Sequence, residues 1–366
     1  MKFYGPTKVY VEKECVRNHK GELTSLGSKA LIITGRHSAS ANGSLADVTS
    51  VLEEAGVPYV VFSEVEENPS VETVGRAGEL GKKEKADFVI GIGGGSPLDA
   101  AKGAAILLGN PEETEDCLYA GKDLKPVPFA AVPTTCGTGS EVTPNAVLTR
   151  PALNKKGSMS YDVYPQIALV DGKYRAFASK KLIINTSVDA LAHLVESRLS
   201  TKNNIYTQMF SEYGIALWSG LIPFLTGEKE PDADAYEKFM LTSTIAGMAI
   251  AQTGTSLPHA LSYPITLGHN VPHGRACGLY LAAYMEEYAR NKPEDVEKIM
   301  NLLGFGSLMD FSAFLQGLMG PQIVSREEMA AIADEISGNP GKLASFPFGI
   351  DRDGVFRIVE RSLTVG

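Results

Sequence analysis

The hydrophobic pattern changes character about halfway along the chain. In the first half, short β-branched runs alternate with stretches of helical periodicity, which predicts a parallel sheet with helices on both faces. The predicted strands cover residues 30–34, 59–62, 87–91, 129–132 and 167–171. The predicted helices between them cover residues 44–55, 70–83 and 97–108. Ser70 is the expected N-cap of the second of these helices.

The second half is predicted to be helical. Strand-like runs stop near residue 179, and the helices predicted beyond it cover residues 187–199, 207–217, 234–252, 274–290, 293–303, 308–317 and 326–336. The segment 258–274 is rich in proline and glycine, and we predict an irregular segment there. The fold class expected is an α/β domain at 1–178 followed by an all-helical domain at 179–366.

Composition and charge narrow the classes of function. The 366 residues are 44% hydrophobic and 21% charged, which is typical of globular domains and leaves enough apolar material for two cores. The formal net charge is −9 and there is no basic stripe, so nucleic acid is not an expected partner.

The cysteines and the lengths of the apolar runs indicate where in the cell the protein is expected. The four cysteines form no C-x-x-C pair, a pattern that fits unpaired thiols in a reducing cytosol. The N-terminus lacks the apolar core of a signal peptide, and no apolar run approaches the ~18 residues of a membrane span. We therefore expect a cytoplasmic protein without a membrane partner.

Two glycine-rich segments each follow a predicted strand. The first, GIGGGSPLD at 91–99, opens a predicted helix, and glycines there would let the backbone approach a pyrophosphate at the helix N-terminus. The second, PTTCGTGSEV at 133–142, offers hydroxyls between glycines. Each segment alone also fits a structural turn or a polar capping loop. Together, at strand ends of one sheet, they indicate a dinucleotide site in the first domain.

The end of the first predicted strand bears on the choice of cofactor. NAD sites usually place an acidic residue there to hold the ribose 2′-hydroxyl, but this chain has Gly35 and Arg36. Arg36 would be able to bind a 2′-phosphate, which favours NADP(H) over NAD(H). The alternative is that Arg36 is a solvated surface residue.

A carboxylate and three imidazoles suggest a metal site. Asp189 and His193 lie four residues apart in a predicted helix and so share a face, while His259 and His273 bracket the proline-rich segment. This donor set suits a divalent transition metal that acts as a Lewis acid. A helix ion pair with structural histidines remains the alternative. His269 is either a proton-relay group or a residue of an irregular loop.

With these motifs assembled, the chain resembles the iron-containing (group III) alcohol dehydrogenases. GGGSPLD at 93–99, PTTCGTGSEVT at 133–143, DALAH at 189–193, His259 and PHG at 272–274 follow the order of that family across nearly the whole chain. Within the family, the chain looks most like the 1,3-propanediol dehydrogenase and lactaldehyde reductase type. The resemblance implies a dehydroquinate synthase-like architecture.

The resemblance also implies roles for individual residues. Asp189, His193, His259 and His273 match the metal ligands. The matching cofactor-side positions are Asn68, Gly94, Gly95, Ser96, Asp99, Thr134, Thr135, Thr138, Ser140, Val147 and Lys156. Gly35 stands where NAD-preferring members have an aspartate. Many members carry a histidine one helical turn past the position of His259, and this chain has Tyr263 there. Tyr263 or His269 would then have to take over the role of that histidine in proton movement.

These observations predict a metal-dependent oxidoreductase. Hydride would pass between NADP(H) and a short-chain alcohol, aldehyde or diol, with the metal polarising the substrate oxygen. Family resemblance favours Fe²⁺, and the affinity order of divalent metals favours Zn²⁺. The rival hypotheses are a dehydroquinate synthase-like lyase that uses a metal and NAD, and a non-catalytic dinucleotide sensor. A homodimer or a larger homo-oligomer is expected, with strand pairing through residues 8–12 as the candidate contact.

Overall fold

The computed structural model describes residues 2–153 and 155–366. Contacts divide these residues into two compact units. The first, called the α/β unit, comprises residues 5–178 and 232–244. The second, called the helical unit, comprises residues 2–4, 179–231 and 245–366.

A parallel sheet organises the α/β unit. Its strands are β1 (Lys8–Val11), β2 (Ala30–Gly35), β3 (Tyr59–Val65), β4 (Phe88–Gly93), β5 (Phe129–Pro133) and β8 (Ile167–Val170). They lie in the order β1-β8-β5-β4-β2-β3, with β1 at one edge. A separate antiparallel pair consists of β6 (Val147–Arg150) and β7 (Lys155–Ser158).

Helices cover both faces of this sheet, as the strand–helix alternation predicts. They are α1 (Cys15–Asn18), α2 (Lys20–Thr24), α3 (Ser38–Ala41), α4 (Ser44–Glu54), α5 (Val71–Glu84) and α6 (Gly95–Gly109). Alternate residues of β2 enter different cores: Leu31 and Ile33 pack with residues of α5 and α6, while Ala30 and Ile32 pack with residues of α4. The oxygen of Ser70 accepts a hydrogen bond from the Thr73 amide and caps α5.

The strand ends place the two glycine-rich segments side by side. Strand β4 lies between β2 and β5, and Gly93 at the end of β4 pairs with Pro133 at the end of β5. Because all three strands are parallel, their carboxyl ends share one edge of the sheet, where α/β folds bind ligands. The segments that begin at Gly94 and Thr134 therefore leave the sheet as neighbours.

Helices make up most of the helical unit. They are α7 (Lys180–Arg198), α8 (Ile205–Ser219), α9 (Ile222–Thr226), the second half of α10 (Ala233–Thr253), α11 (Leu257–His269), α12 (His273–Ala289), α13 (Pro293–Leu303), α14 (Leu308–Met319), α15 (Arg326–Ser337), α16 (Pro340–Leu343) and α17 (Arg352–Ser362). Two short strands, β9 (Ile323–Val324) and β10 (Thr364–Val365), pair in parallel.

Helix α12 lies very close to α7. A Cβ atom added at Gly274 would overlap the carbonyl oxygen of Asn185, and one added at Gly278 would overlap the Val188 side chain. Glycine at these two positions therefore permits the helices to approach at their backbones. This contact brings the first turn of α12, which begins at His273, against the middle of α7.

Three local predictions are wrong. The proline-rich segment is not irregular: residues 257–269 form α11, so His269 ends a helix instead of lying in a loop. Pro264 removes one backbone donor from α11, and the burial of Leu261 and Ile265 offsets this cost. Helix α7 begins at Lys180, seven residues before the predicted start, because Ser179 caps it by accepting from the Leu182 amide.

No single helix among the described residues has both the length and the apolarity to cross a membrane. Helices α13 and α14, which are bent by 54° relative to each other, meet the criteria only as a pair and only by length and composition.

Candidate metal and cofactor sites

Three helices of the helical unit bring the predicted metal-binding residues together. Asp189 and His193 lie one turn apart on α7, His259 lies in the first turn of α11, and His273 is the first residue of α12. The Nε2 atom of His259 is 3.5 Å from Asp189 Oδ1, and the Nε2 atom of His273 is 3.9 Å from the same oxygen. The predicted spacing of the α7 pair and the α7–α12 contact together produce this convergence.

The fourth predicted residue lies beside this group in a different arrangement. The ring of His193 stacks on the ring of His259, with centroids 4.4 Å apart and planes 20° apart. The residues whose potential ligand atoms all lie within 4.8 Å of one another are Asp189, His259, His273 and Cys277. Cys277 was not among the predicted ligands.

Two atoms at the centre of the group lack hydrogen-bond partners. They are Asp189 Oδ1 and His259 Nε2, in residues that are 2% and 4% exposed. A buried carboxylate oxygen left without a donor is unfavourable, and a cation between the two atoms would satisfy both. The His273 side chain is 28% exposed, so the group opens to solvent on that side. The residues present therefore fit a divalent metal ion.

The electrostatics of the group favour positive charge. Burial acts to raise the pKa of Asp189, but the charge of His193 and the closeness of His259 outweigh it and hold that pKa well below its usual range. Burial acts to lower the pKa of His259, but nearby acidic groups, including Cys277 and Glu196, raise it well above its usual value. The site thus holds an ionised carboxylate and stabilises a cation beside it.

Glu196 is a functional candidate that the sequence analysis missed. It lies on α7, seven residues after Asp189, and is fully buried. One carboxylate oxygen accepts from Nδ1 of His259 at 2.5 Å, and the other accepts from the backbone amide of Ser256. Because Nδ1 donates to Glu196, His259 would bind a metal through Nε2, the atom that lies 3.5 Å from Asp189 Oδ1.

The two residues considered for proton movement lie in different surroundings. Tyr263 on α11 has its ring nearly parallel to that of His273, with centroids 6.0 Å apart, and burial raises the pKa of its hydroxyl. His269, at the end of α11, contacts Glu328 at 2.5 Å, and both side chains are substantially exposed. Tyr263 therefore lies against the metal-binding group, whereas His269 is paired with Glu328.

In the α/β unit, the two predicted phosphate-binding segments contact each other. A Cβ atom at Gly94 would lie 2.9 Å from Thr135 Oγ1, and one at Gly95 would lie 2.7 Å from Thr138 Cγ2. These are the first residues at the N-terminus of α6, whose free amides favour an anion. Thr134 is buried and its amide donates to the Gly93 carbonyl. Glycine is needed here because the second segment passes directly over the first.

A buried polar network fixes the second segment. Asp99 accepts hydrogen bonds from Ser140 Oγ at 2.7 Å and from the Val147 amide at 2.9 Å. Lys102, which is fully buried, donates to Ser140 Oγ and to the Asn145 carbonyl, and burial lowers its pKa to about 8. The structure thus brings three predicted cofactor-side residues together around a lysine to which the sequence analysis gave no role.

A second cluster forms around Asn68. This residue has a left-handed backbone with φ 57°, which asparagine tolerates better than most residues. Its side-chain oxygen accepts a hydrogen bond from Lys156 Nζ at 2.5 Å, and its backbone N–H donates to Ser96 Oγ at 3.2 Å. Gly35 ends β2 and is followed by the exposed side chain of Arg36. The residues predicted to lie on the cofactor side are therefore grouped near the carboxyl ends of β2, β4 and β5.

Comparisons with known proteins identify the family to which the chain belongs. The family model described as iron-containing alcohol dehydrogenase matches residues 6–172, and the model of the C-terminal part of the Fe-containing alcohol dehydrogenase family matches residues 183–316. The NADPH-dependent butanol dehydrogenase of Clostridium saccharobutylicum is 31% identical over 310 residues, which are 82% of this chain and 77% of that protein. The lactaldehyde reductase of Escherichia coli K12 is 31% identical over 282 residues, which are 75% and 72% of the two chains.

A solved structure extends the similarity to the whole fold. The iron-containing alcohol dehydrogenase of Thermotoga maritima superposes with a TM-score of 0.91 and is 36% identical. The match covers 99% of both chains.

Proposed function

Because the chain belongs to the iron-containing alcohol dehydrogenase family and is an alcohol/aldehyde oxidoreductase, we propose that it transfers a hydride between NADP(H) and a short-chain alcohol, aldehyde or diol. The proposed metal ligands are Asp189, His193, His259 and His273, with Fe²⁺ as the expected ion and Zn²⁺ as a possible substitute. The observation that carries this proposal is the pair of buried, unpartnered atoms, Asp189 Oδ1 and His259 Nε2, within 3.5 Å of each other.

The proposed metal residues have distinct tasks. A divalent ion held there would supply a Lewis acid that lowers the pKa of an alcohol or polarises a carbonyl. Asp189 provides the single carboxylate, so with neutral histidines the site keeps a net charge of about +1, suited to a developing oxyanion. Glu196 fixes the orientation and protonation of His259. The exposed side of His273 provides an approach for the substrate.

The cofactor is proposed to bind at the carboxyl edge of the sheet. Gly94 and Gly95 allow its pyrophosphate to approach the backbone at the N-terminus of α6. The opposite wall of the proposed cofactor site consists of Thr134, Thr135, Thr138, Ser140 and Val147. Asn68, Ser96 and Lys156 lie together, which supports a role on the adenosine side. The nicotinamide would accept or donate the hydride.

NADP(H) is the proposed cofactor over NAD(H). Gly35 ends β2 without the carboxylate that would hold a 2′-hydroxyl and repel a 2′-phosphate, and Arg36 follows it with an exposed guanidinium. The relative in Clostridium saccharobutylicum is named as NADPH-dependent. Replacing Arg36 by alanine should raise the KM for NADPH more than that for NADH.

Tyr263 is proposed as the residue that replaces the missing histidine. Its ring lies parallel to that of His273, and because burial raises the pKa of its hydroxyl, the phenol keeps its proton and can donate a hydrogen bond at neutral pH. Tyr263→Phe should therefore lower kcat for aldehyde reduction, with metal affinity unchanged. His269 is the weaker candidate because it is paired with Glu328.

Assembly and location are also proposed. Strand β1 lies at the edge of the sheet and is available for pairing with a second copy of the chain, so we expect a homodimer or a larger homo-oligomer. Light scattering that gives a monomer mass would contradict this. The cysteines are buried thiols, which supports a cytoplasmic location. Residues 1–178 and 179–366 are the proposed domains.

A reconstitution assay tests the proposed function. The protein is stripped of metal without oxygen, reloaded with Fe²⁺ or Zn²⁺, and assayed with NADPH and NADH against short aldehydes and diols. We expect metal-restored turnover that is lost in His259→Gln and kept in His19→Gln, a histidine whose ring stacks on Tyr10 in the α/β unit. Turnover that survives metal removal would refute the metal mechanism, and a preference for NADH would refute the cofactor proposal alone.

A further inference from the structure

A thiol faces the metal-binding group from α12. Cys277 lies four residues after His273, on the same face of the helix, and is fully buried. Its Sγ atom is 3.7 Å from His273 Nε2 and 3.9 Å from His273 Nδ1. Its sulfur is also within 4.8 Å of the potential ligand atoms of Asp189 and His259.

Three of the separations between these atoms are close to those of ligand atoms that share one metal ion. In tetrahedral zinc sites the bonds are about 2.0–2.1 Å to nitrogen or oxygen and about 2.3 Å to sulfur, so neighbouring ligand atoms are about 3.3–3.7 Å apart. The observed separations are 3.5 Å from His259 to Asp189, 3.9 Å from His273 to Asp189 and 3.7 Å from His273 to Cys277. Each of these three pairs is therefore within about half an ångström of the spacing at which both atoms bind one ion.

A second observation also indicates a ligand at this point. Asp189 Oδ1 and His259 Nε2 are buried without hydrogen-bond partners and belong to the same group as the sulfur. An ordinary core cysteine packs against apolar atoms, whereas the sulfur of Cys277 has a carboxylate oxygen and two imidazole nitrogens within 4.8 Å. A cation at the centre would satisfy the oxygen, the nitrogen and the sulfur together.

We propose that Cys277 is a further ligand of the metal centre and binds as a thiolate. The inference rests on the proposed function, because it adds one donor to the proposed metal site. Binding of Cys277 as a thiolate would release the thiol proton to solvent. A thiolate at Cys277 would lower the net charge of the proposed site from about +1, with Asp189 as the single anion, to about zero, and the softer sulfur would favour Zn²⁺ or Co²⁺ over Fe²⁺.

Cobalt substitution tests this assignment. The metal-free protein is titrated with Co²⁺ and its absorption spectrum is recorded. We expect visible bands from cobalt in a low-coordinate site, together with a near-ultraviolet band from sulfur-to-cobalt charge transfer. The second band should disappear in Cys277→Ser while the visible bands remain. Cys15→Ser, which alters an equally buried thiol in the α/β unit, should keep both features.

The outcomes separate this inference from the proposed function. Visible cobalt bands without the sulfur band in the unaltered protein, or a sulfur band that persists in Cys277→Ser, would overturn the role of Cys277 and leave the metal site intact. No cobalt binding at all would overturn the metal site itself. A competition titration with a chromophoric chelator provides a second readout, in which Cys277→Ser should lower Zn²⁺ affinity at least tenfold.

Discussion

The hydrogen bond between Glu196 and His259 gives the most demanding prediction. Glu196 presents two oxygens to two donors, the Nδ1–H of His259 and the backbone amide of Ser256, in a fully buried position. Glu196→Gln keeps the volume of the side chain but leaves one oxygen and one NH₂ group. Only one of the two donors then finds an acceptor.

The expected loss of metal affinity depends on which of the two donors keeps its acceptor in Glu196→Gln. The Ser256 amide cannot change its protonation, so the glutamine oxygen should face it and the glutamine NH₂ should face His259. Nδ1 of His259 must then accept, which moves its proton to Nε2, the atom that would bind the metal. To bind the metal, His259 has to return its proton to Nδ1. This leaves one buried donor without an acceptor, which costs about 1–3 kcal/mol of binding free energy. Metal affinity should therefore fall by about 10- to 100-fold.

The assay is a competition titration of Zn²⁺ against a chromophoric chelator, with the unfolding of the metal-free forms measured alongside. Glu328→Gln is the matched control, because Glu328 contacts His269 at the same distance of 2.5 Å but is 36% exposed, where water can replace the lost bond. We expect that control to bind within twofold of the parent. Parent-like affinity in Glu196→Gln, or an equal loss in both variants, would refute the reasoning.

Other predictions concern the remaining parts of the molecule. Gly35→Asp should shift preference from NADPH toward NADH in steady-state kinetics, since its Cβ meets no atom closer than 3.6 Å. Gly95→Ala should weaken cofactor binding tenfold or more by calorimetry, because its Cβ would lie 2.7 Å from Thr138; Gly21→Ala, with open space, should not. Chelation should lower the unfolding temperature, since metal at 100 times its Kd adds about 2.7 kcal/mol. Between pH about 8 and 10.5, parent stability should rise with pH relative to Lys102→Met, because the unfolded chain keeps the lysine proton that burial removes in the folded state.

Much of the α/β unit was predictable because its two sheet faces impose a simple pattern. Strands such as β2 are buried on both sides, so they appear as continuous apolar runs that glycine ends. The cofactor segments follow these strands directly, and the rule that ligands bind at the carboxyl ends of parallel strands then locates them. The antiparallel pair β6–β7 was missed because its residues are mixed in polarity and partly exposed.

The helical unit was harder to predict at helices α7 and α11. From Ser187 onward, helix α7 is buried around most of its circumference, so it has no apolar stripe on one face. Its first turns, residues 180–186, also show no helical periodicity of apolar residues, and the sequence analysis missed them. Helix α11 was misjudged because Pro258 and Pro264 are usually helix breakers. Pro258 lies in the first turn, where its missing amide proton costs nothing, and tertiary packing compensates for Pro264.

Glu196 and Cys277, which the sequence analysis missed, both lie at helical spacing from predicted metal ligands. Asp189, His193 and Glu196 are spaced by four and three residues, so they line one face of α7 in an apolar context, and each buried charge on that face requires a partner. His273 and Cys277 repeat the four-residue spacing on α12. This spacing would have selected Glu196 and Cys277 as candidates. It would not have identified the Ser256 amide as the second donor to Glu196, because that contact depends on where α11 begins. The prediction for Glu196→Gln depends on this backbone contact, and therefore tests the part of the site that only the structure supplies.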